Sequence, residues 1–265
     1  MRLTVIGCSG SLPGPAAAAS CYLVEAEGVS ADGRPRTYRV VLDLGSGALG
    51  PLQRHLALAD IDAVCLSHLH ADHCLDLCGL YVWLKYHPDG RRGTRIPVHG
   101  PAGTAGRLAR AYDLPENPGM SAELDVREWT VGEPVVVGPL RIKPFRVQHP
   151  VEAYALRVTG PSEWGSDTVT LAYSGDTDSC EGLTGAAAAA DVLLCEAAFH
   201  EGRDEIRGIH LTGLRAGETA RDAAVGRLVL THLPPWNEPQ RSLAEARQVW
   251  GGPIDLAEPG LVIEL

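Results

Sequence analysis

Short apolar runs bounded by Gly, Pro or Asp recur along the whole chain, and longer segments with helical spacing fall between them. Runs rich in Val, Ile and Leu between such breakers read as strands. They are predicted over Arg2–Ile6, Cys21–Glu25, Tyr38–Leu42, Ala63–Leu66, Ile96–His99, Val135–Val137, Leu140–Val147, Ala153–Val158, Thr168–Tyr173, Val192–Cys195, Leu228–Leu230 and Leu261–Glu264. Apolar positions recurring every third or fourth residue predict helices over Leu49–Leu56, Leu75–Tyr86, Thr104–Tyr112, Cys180–Ala190, Thr212–Ala224 and Ser242–Trp250. Thr212 suits the N-cap of the fifth helix, and Glu218 suits first-turn charge. The polar stretch Glu27–Arg36, with Gly33 and Pro35, predicts a hairpin loop; Glu116–Ser121 and Pro161–Asp167 predict surface loops. No repeat and no long linker interrupts this alternation. It predicts an α/β fold of two packed sheets with helices outside, as one domain over residues 1–265 with two halves.

Composition narrows the function classes. Hydrophobic residues make up 45% of the 265, enough for a large core, and with only two Phe and two Met that core is aliphatic. A net charge of −10 argues against non-specific nucleic-acid binding, which needs a basic surface. The seven cysteines have no disulfide-framework spacing, and most sit in apolar runs as buried free thiols, which implies a reducing compartment. Cys74 and Cys78 lie one helical turn apart and read as helix packing, with a metal role as the alternative. A strand begins at once at the N-terminus, without a signal peptide, and no apolar stretch is long enough to span a bilayer. The expected setting is cytoplasmic, with no membrane partner.

The chemistry concentrates in His68-Leu69-His70-Ala71-Asp72-His73, directly after the apolar run Ala63–Leu66. Imidazole nitrogen and carboxylate oxygen suit Zn²⁺ and similar divalent ions. A strand ending at Ser67 hands His68 and His70 to a tight loop, and a helix starting near Asp72 aims Asp72 and His73 at the same point. Two ligand pairs from one loop suggest two metals. Further ligands belong at strand ends, where rigid elements hold them accurately. His149 follows Leu140–Val147, Asp176 follows Leu171-Ala172-Tyr173, and His232 follows Leu228–Thr231. A carboxylate at Asp176 could bridge two ions. His210 lies just before a helix. His55, His87, His99 and His200 lack a strand-end setting and read as surface or supporting residues.

These residues resemble the metallo-β-lactamase superfamily: the His-x-His-x-Asp-His loop, then His149, Asp176 and His232 in that order. The resemblance implies an αββα sandwich of two facing mixed sheets, with the site at one sheet edge. It implies one metal on His68, His70 and His149, a second on Asp72, His73 and His232, and Asp176 bridging them. Cys195–Phe199, His210-Leu211-Thr212, Leu230-Thr231-His232 and His99-Gly100-Pro101 are similar to the phosphodiesterase branch that includes ribonuclease Z. By that likeness His210 assists catalysis near the phosphate, in partnership with Glu196. The protruding, glycine- and lysine-rich arm with which ribonuclease Z grasps tRNA has no counterpart here. Gly7–Ser11, Asp76–Pro88 and Thr231–Trp236 resemble actinobacterial proteins related to class II-type cyclic-nucleotide phosphodiesterases.

The expected reaction is hydrolysis of a small phosphodiester, a 3′,5′-cyclic nucleotide opened to the 5′-monophosphate, with two divalent ions, Zn²⁺ or else Mn²⁺ or Fe²⁺, sharing the attacking hydroxide. Asp72 can orient that nucleophile while ligating, and a protonated His210 can donate to the leaving oxygen. The turn Ser9-Gly10-Ser11 could offer backbone N–H groups to the substrate, and Trp236 could stack on its base. Trp83 and Tyr86 fit helix packing better. The expected partner is a small-molecule phosphodiester without extended nucleic acid, and a homodimer is open. The alternatives are tRNA 3′ processing, thioester or lactone hydrolysis on the same metals, and a metal-dependent binding module without turnover.

Overall fold

A computed structural model describes residues 1–88, 95–165 and 167–265. The strands in chain order are β1 (Arg2–Gly7), β2 (Cys21–Val29), β3 (Pro35–Leu42), β4 (Ala63–Cys65), β5 (Ile96–Gly100), β6 (Leu124–Glu128), β7 (Val135–Val137), β8 (Leu140–Arg146), β9 (Tyr154–Pro161), β10 (Thr168–Tyr173), β11 (Val192–Glu196), β12 (Arg227–Thr231), β13 (Ile254–Leu256) and β14 (Val262–Glu264). The helices are α1 (Leu49–Leu52), α2 (Ala71–Cys74), α3 (Leu77–Tyr86), α4 (Thr104–Ala111), α5 (Glu181–Ala187), α6 (Gly213–Asp222) and α7 (Pro239–Arg247). One sheet has the order β14-β1-β2-β3-β4-β5-β6 and the other β13-β12-β11-β10-β9-β8-β7.

Strand alternation builds three apolar layers from this order. Tyr22 and Val24 of β2 point to the middle of the sandwich, where they join Leu156, Val158, Leu171, Tyr173, Leu194 and Val229 of the facing sheet. Cys21 and Leu23 point outward to Leu52, Leu77, Leu80 and Leu108 under α1, α3 and α4. On the far side Ala172, Leu193 and Leu228 meet Leu183, Ala216, Ala220 and Ala246 of α5, α6 and α7. The result is the αββα sandwich. Strands β3, β4, β5 and β6 run parallel, as do β10, β11, β12 and β13. Their C-terminal ends therefore share an edge, the setting in which open α/β sheets place ligands.

Several elements differ from the sequence expectation. The hairpin β2–β3 pairs as far as Val29 and Pro35, so the turn is shorter than Glu27–Arg36. Strands β6 and β13 were not predicted; the first is a polar edge strand and the second has three residues. The expected helix Leu75–Tyr86 is α3, which starts at Leu77 behind the separate short helix α2, and Leu49–Leu56 holds only the short helix α1 before turns. Helix α5 is shorter at both ends than Cys180–Ala190, and α7 starts earlier than Ser242 because Pro239 opens its first turn. Thr212 caps α6 by accepting from the Arg215 N–H, but Glu218 lies beyond the first turn. Strand β9 reaches Pro161, and Ser166 of the expected Pro161–Asp167 loop lies outside the described residues. Among the described residues no helix is long and apolar enough to cross a membrane.

Candidate metal centre

Strand β4 ends at Cys65, and the chain passes through Leu66 and Ser67 into the histidine loop. His70 is the extended N-cap of α2, so Asp72 and His73 fall in the first turn of that helix. The loop can sit this deep because Gly45 has no side chain: a Cβ there would stand 1.9 Å from the Asp72 carbonyl oxygen. Asp176 follows β10 through Gly175, whose φ of +57° and whose contacts with Ser67 and Tyr154 exclude a side chain. His232 follows β12 with a left-handed φ of +55°.

These segments converge on two donor groups that share Asp176. In the first, His68 Nε2 lies 3.0 Å from His70 Nδ1, His70 Nδ1 lies 3.2 Å from His149 Nε2, and His68 Nε2 lies 3.6 Å from Asp176 Oδ2. In the second, His73 Nε2 lies 3.4 Å from Asp72 Oδ2 and 3.2 Å from Asp176 Oδ1, and His232 Nε2 lies 3.3 Å from Asp176 Oδ2. Donors bound at ~2.0–2.1 Å to one tetrahedral ion are spaced about 3.3 Å apart, so these separations fit. The polar atoms themselves point the same way. His73 Nε2, Asp176 Oδ1 and His232 Nε2 are buried without a hydrogen-bond partner, a state that costs roughly 1–3 kcal/mol per group unless something else satisfies it. Asp43, Asp72, Asp176 and Glu196 are all buried around neutral-capable imidazoles, which leaves negative charge for a cation to balance.

Outer contacts orient the rings. Asp43 Oδ2 lies 2.8 Å from His73 Nδ1 and also accepts from the Ser67 and Tyr173 hydroxyls, at 2.7 Å each. Its Oδ1 accepts the Ser67 N–H at 2.7 Å. His149 Nδ1 donates to the Ile209 carbonyl at 2.8 Å, since a carbonyl can only accept. His232 Nδ1 sits 3.0 Å from Ser20 Oγ. Where Nδ1 donates in these contacts, Nε2 is left as a lone pair toward the centre, the arrangement that metal-binding histidines need. Burial opposes a charge on His73, yet Asp176 and Asp43 on either side hold its pKa well above the usual histidine range. A position that grips a proton between two carboxylates is equally suited to a cation. Burial also opposes the charge on Asp72, but His73 and His232 prevail and lower its carboxyl to about 2.

Beside the shared Asp176 stands a third group, Glu196 and His210. Glu196 ends β11, fully buried, and accepts the Thr177 N–H at 2.8 Å and the Ala198 N–H at 3.1 Å. His210 Nδ1 lies 2.9 Å from Glu196 Oε1 and 4.0 Å from Asp176 Oδ2. Burial lowers the His210 pKa, but Glu196 and then Asp176 outweigh it, pushing it up to about 9. The ring lies 5.4 Å from that of His149 and 5.6 Å from that of His232, so His210 adjoins both donor groups.

Not every sequence expectation lands at the centre. The turn amides of Ser9 and Gly10 are already spent, on the Ala18 and Leu233 carbonyls. Ser9 Oγ donates to Leu12 at 2.7 Å. Gly10 instead packs on the His232 backbone, where a Cβ would lie 2.3 Å from the carbonyl oxygen. This segment braces His232, and of its residues Ser11 alone, exposed at φ +64°, keeps an amide without a bond to the protein. Trp236 is 62% exposed. Cys74 and Cys78 pack under the outer helices and join no donor group among the described residues. His99 is buried against Trp129, whose indole N–H donates to the Leu66 carbonyl, and His200 is buried near Glu245. Asp43 was missed. It follows Val40–Leu42 and precedes Leu44-Gly45, the same strand-end acid setting that singled out Asp176.

The beta-lactamase superfamily domain model matches residues 38–233. Uncharacterized protein ML1173 of Mycobacterium leprae is 43% identical over 267 residues, spanning 100% of this chain and 89% of that protein. The probable metallo-hydrolase YhfI of Bacillus subtilis is 29% identical over the full length of both. The crystal structure of the metallo-beta-lactamase fold protein YhfI superposes with a TM-score of 0.83 at 27% identity, covering 100% of this chain and 99% of that one. Ribonuclease Z of Methanopyrus kandleri is 27% identical over 293 residues, 98% of this chain and 96% of that protein.

Proposed function

The chain belongs to the beta-lactamase superfamily, as a metallo-hydrolase of that fold, and from this premise we propose that it is a binuclear phosphodiesterase acting on a small phosphodiester, a 3′,5′-cyclic nucleotide opened to the 5′-monophosphate. The observation that carries the reading is the Glu196–His210 pair at 2.9 Å, set against two donor groups that share Asp176. The thiolate of a thioester leaves without such an acid; an alkoxide leaving phosphorus gains from one.

His68, His70 and His149 would hold one divalent ion, Asp72, His73 and His232 the other, and Asp176 both. When bound, the pair supplies Lewis acidity that neutralises phosphoryl charge and makes water a nucleophile near neutral pH. Zn²⁺ would suit these His and Asp donors, as would Mn²⁺ or Fe²⁺. Asp43 keeps the His73 ring turned with Nε2 inward, and Ile209 does the same for His149. Asp72, with an oxygen to spare beyond ligation, orients the attacking water. Glu196 favours the protonated form of His210, whose pKa is pushed up to about 9 in the metal-free protein. With Nδ1 engaged by Glu196, Nε2 carries the proton that passes to the leaving oxygen. The Ser11 amide and the exposed Trp236 ring are the groups offered to substrate from the neighbouring loops, the ring as a stacking surface for a base.

Ribonuclease Z activity is the second reading, favoured by the ribonuclease Z relative that spans nearly the whole chain. Against it stand the net charge of −10 and the lack of a lysine-rich insertion in the sequence, because RNA binding draws its affinity largely from Lys and Arg on phosphates. Metal-reconstituted protein assayed against cyclic AMP, a linear dinucleotide, a tRNA precursor and an aryl thioester tests the choice. Cyclic-nucleotide opening is expected. Efficient release of a tRNA 3′ trailer with negligible cyclic AMP opening would restore the ribonuclease reading, and thioester hydrolysis alone would remove phosphorus chemistry altogether.

A further inference from the structure

His210 lies on the connection between β11 and α6, and the outer part of that connection has no sheet or helix of its own. Its base is closed independently: the Phe199 N–H donates to the Leu211 carbonyl, and Glu245 of α7 accepts the N–H groups of both Glu201 and Gly213. Residues Glu205, Ile206 and Arg207 at the tip are exposed. A buried carboxylate reaches from the core to that tip. Asp178, 2% exposed, accepts Arg207 Nε at 2.9 Å and the Gly208 N–H at 2.7 Å on Oδ2, and the Ser179 N–H at 2.7 Å and Arg215 Nη1 on Oδ1. Gly208 presents its N–H through a φ of +82°, a conformation that glycine adopts without strain.

The backbone of Asp178 makes the link three-way. Its N–H donates to the Gln148 carbonyl at 2.9 Å, fixing the neighbour of His149. His149 in turn donates to Ile209, between Gly208 and His210. Asp178 thus ties together the segments that carry Asp176, His149 and His210. We propose that Asp178 is a positioning residue for His210: its hydrogen bonds to Arg207 and Gly208 hold the loop so that the imidazole stays on Glu196 and beside the metal centre. The kinetic part of this proposal rests on the phosphodiesterase reading; the structural part does not.

Asp178→Asn, loaded with diamagnetic Zn²⁺, is the test, because an amide of the same size cannot accept from every donor now bound. The first readout is the His210 Nδ1 proton in NMR, a downfield signal identified by its absence in His210→Ala. Its exchange with water is expected to speed up by about tenfold or more, with metal content unchanged. The second readout is kcat on a diester with a poor, alkyl leaving group. It should fall by about tenfold or more, because small displacements of a proton donor forfeit much of its effect. In the His210→Ala background the same substitution should change kcat by less than about twofold. Arg207→Ala removes one exposed donor without touching the core and should act in the same direction, more weakly. An unaltered Nδ1 proton, a loss that multiplies with that of His210→Ala, or a fall in metal content would each overturn the proposal. Should wild-type protein turn over no phosphodiester, the functional reading fails while the Nδ1 proton still decides the role of Asp178.

Discussion

Replacing Asp43 by Asn isolates what a single buried carboxylate does for the metal centre. Asparagine keeps the size and tolerates the left-handed φ of +55° that Asp43 adopts. What changes is the acceptor count and the negative charge. If the amide oxygen takes the Oδ2 position it can still receive His73, Ser67 Oγ and Tyr173, but the NH₂ then faces the Ser67 N–H, donor against donor. If the amide is turned over, three donors lose their acceptor. The first arrangement is cheaper. It loses one charge-assisted bond and strands a buried donor, about 2–4 kcal/mol together. At roughly 2–4 °C per kcal/mol for a chain of this order, the metal-free protein should melt several degrees lower. The His73 ring also loses its anionic anchor, and outer partners of metal ligands are worth about 10–100-fold in affinity. Competitive chelator titration should therefore show one ion released about 10–100-fold more readily. The ion on His68, His70 and His149 should be far less affected. Unchanged affinity of both ions in a folded variant would refute the anchoring role. Equal loss of both would mean that Asp43 acts through the packing of the sheets and not through His73.

Wild-type protein purified without chelator should approach two metals per chain by elemental analysis, and Asp176→Ala should weaken both ions because its oxygens face both donor groups; retention of one at full affinity would rule out bridging. His210→Ala should leave metal content unchanged yet cut turnover of alkyl diesters by ~10²–10⁴-fold, with a smaller loss for an aryl diester; equal losses on the two substrates would indicate positioning and not acid catalysis. Gly45→Ala forces a Cβ into the Asp72 carbonyl and should destabilise the fold by about 1–3 kcal/mol in denaturant unfolding; a variant as stable as wild type, with both metals bound, would show that the loop can yield there.

The histidine loop, the strand-end residues His149, Asp176 and His232, and most strands were legible because their signals are local. A donor after an apolar run, or an apolar residue at every second position, needs nothing beyond its neighbours to be recognised. Strands β6 and β13 escaped for the converse reason: they exist by pairing with β5 and β12, and carry too short or too polar a pattern to stand alone. The same distinction runs through the centre. That Asp43 meets His73, 30 residues on, follows from β3 and β4 lying side by side in one sheet, and that it meets Tyr173, 130 residues on, follows from β10 lying in the facing sheet. That the Gly10 amide is taken by the carbonyl of Leu233, next to His232, and not by a ligand follows from β1 and β12 ending at one edge. Asp178 reads in the sequence as an ordinary turn acid, and its grip on Arg207 and Gly208 exists only once the connection after β11 folds back over β10. Donor chemistry belongs to residue types and could be read along the chain. Which donors remain free is set by hydrogen-bond partners brought from elsewhere, because a buried polar group must be satisfied wherever the fold places it.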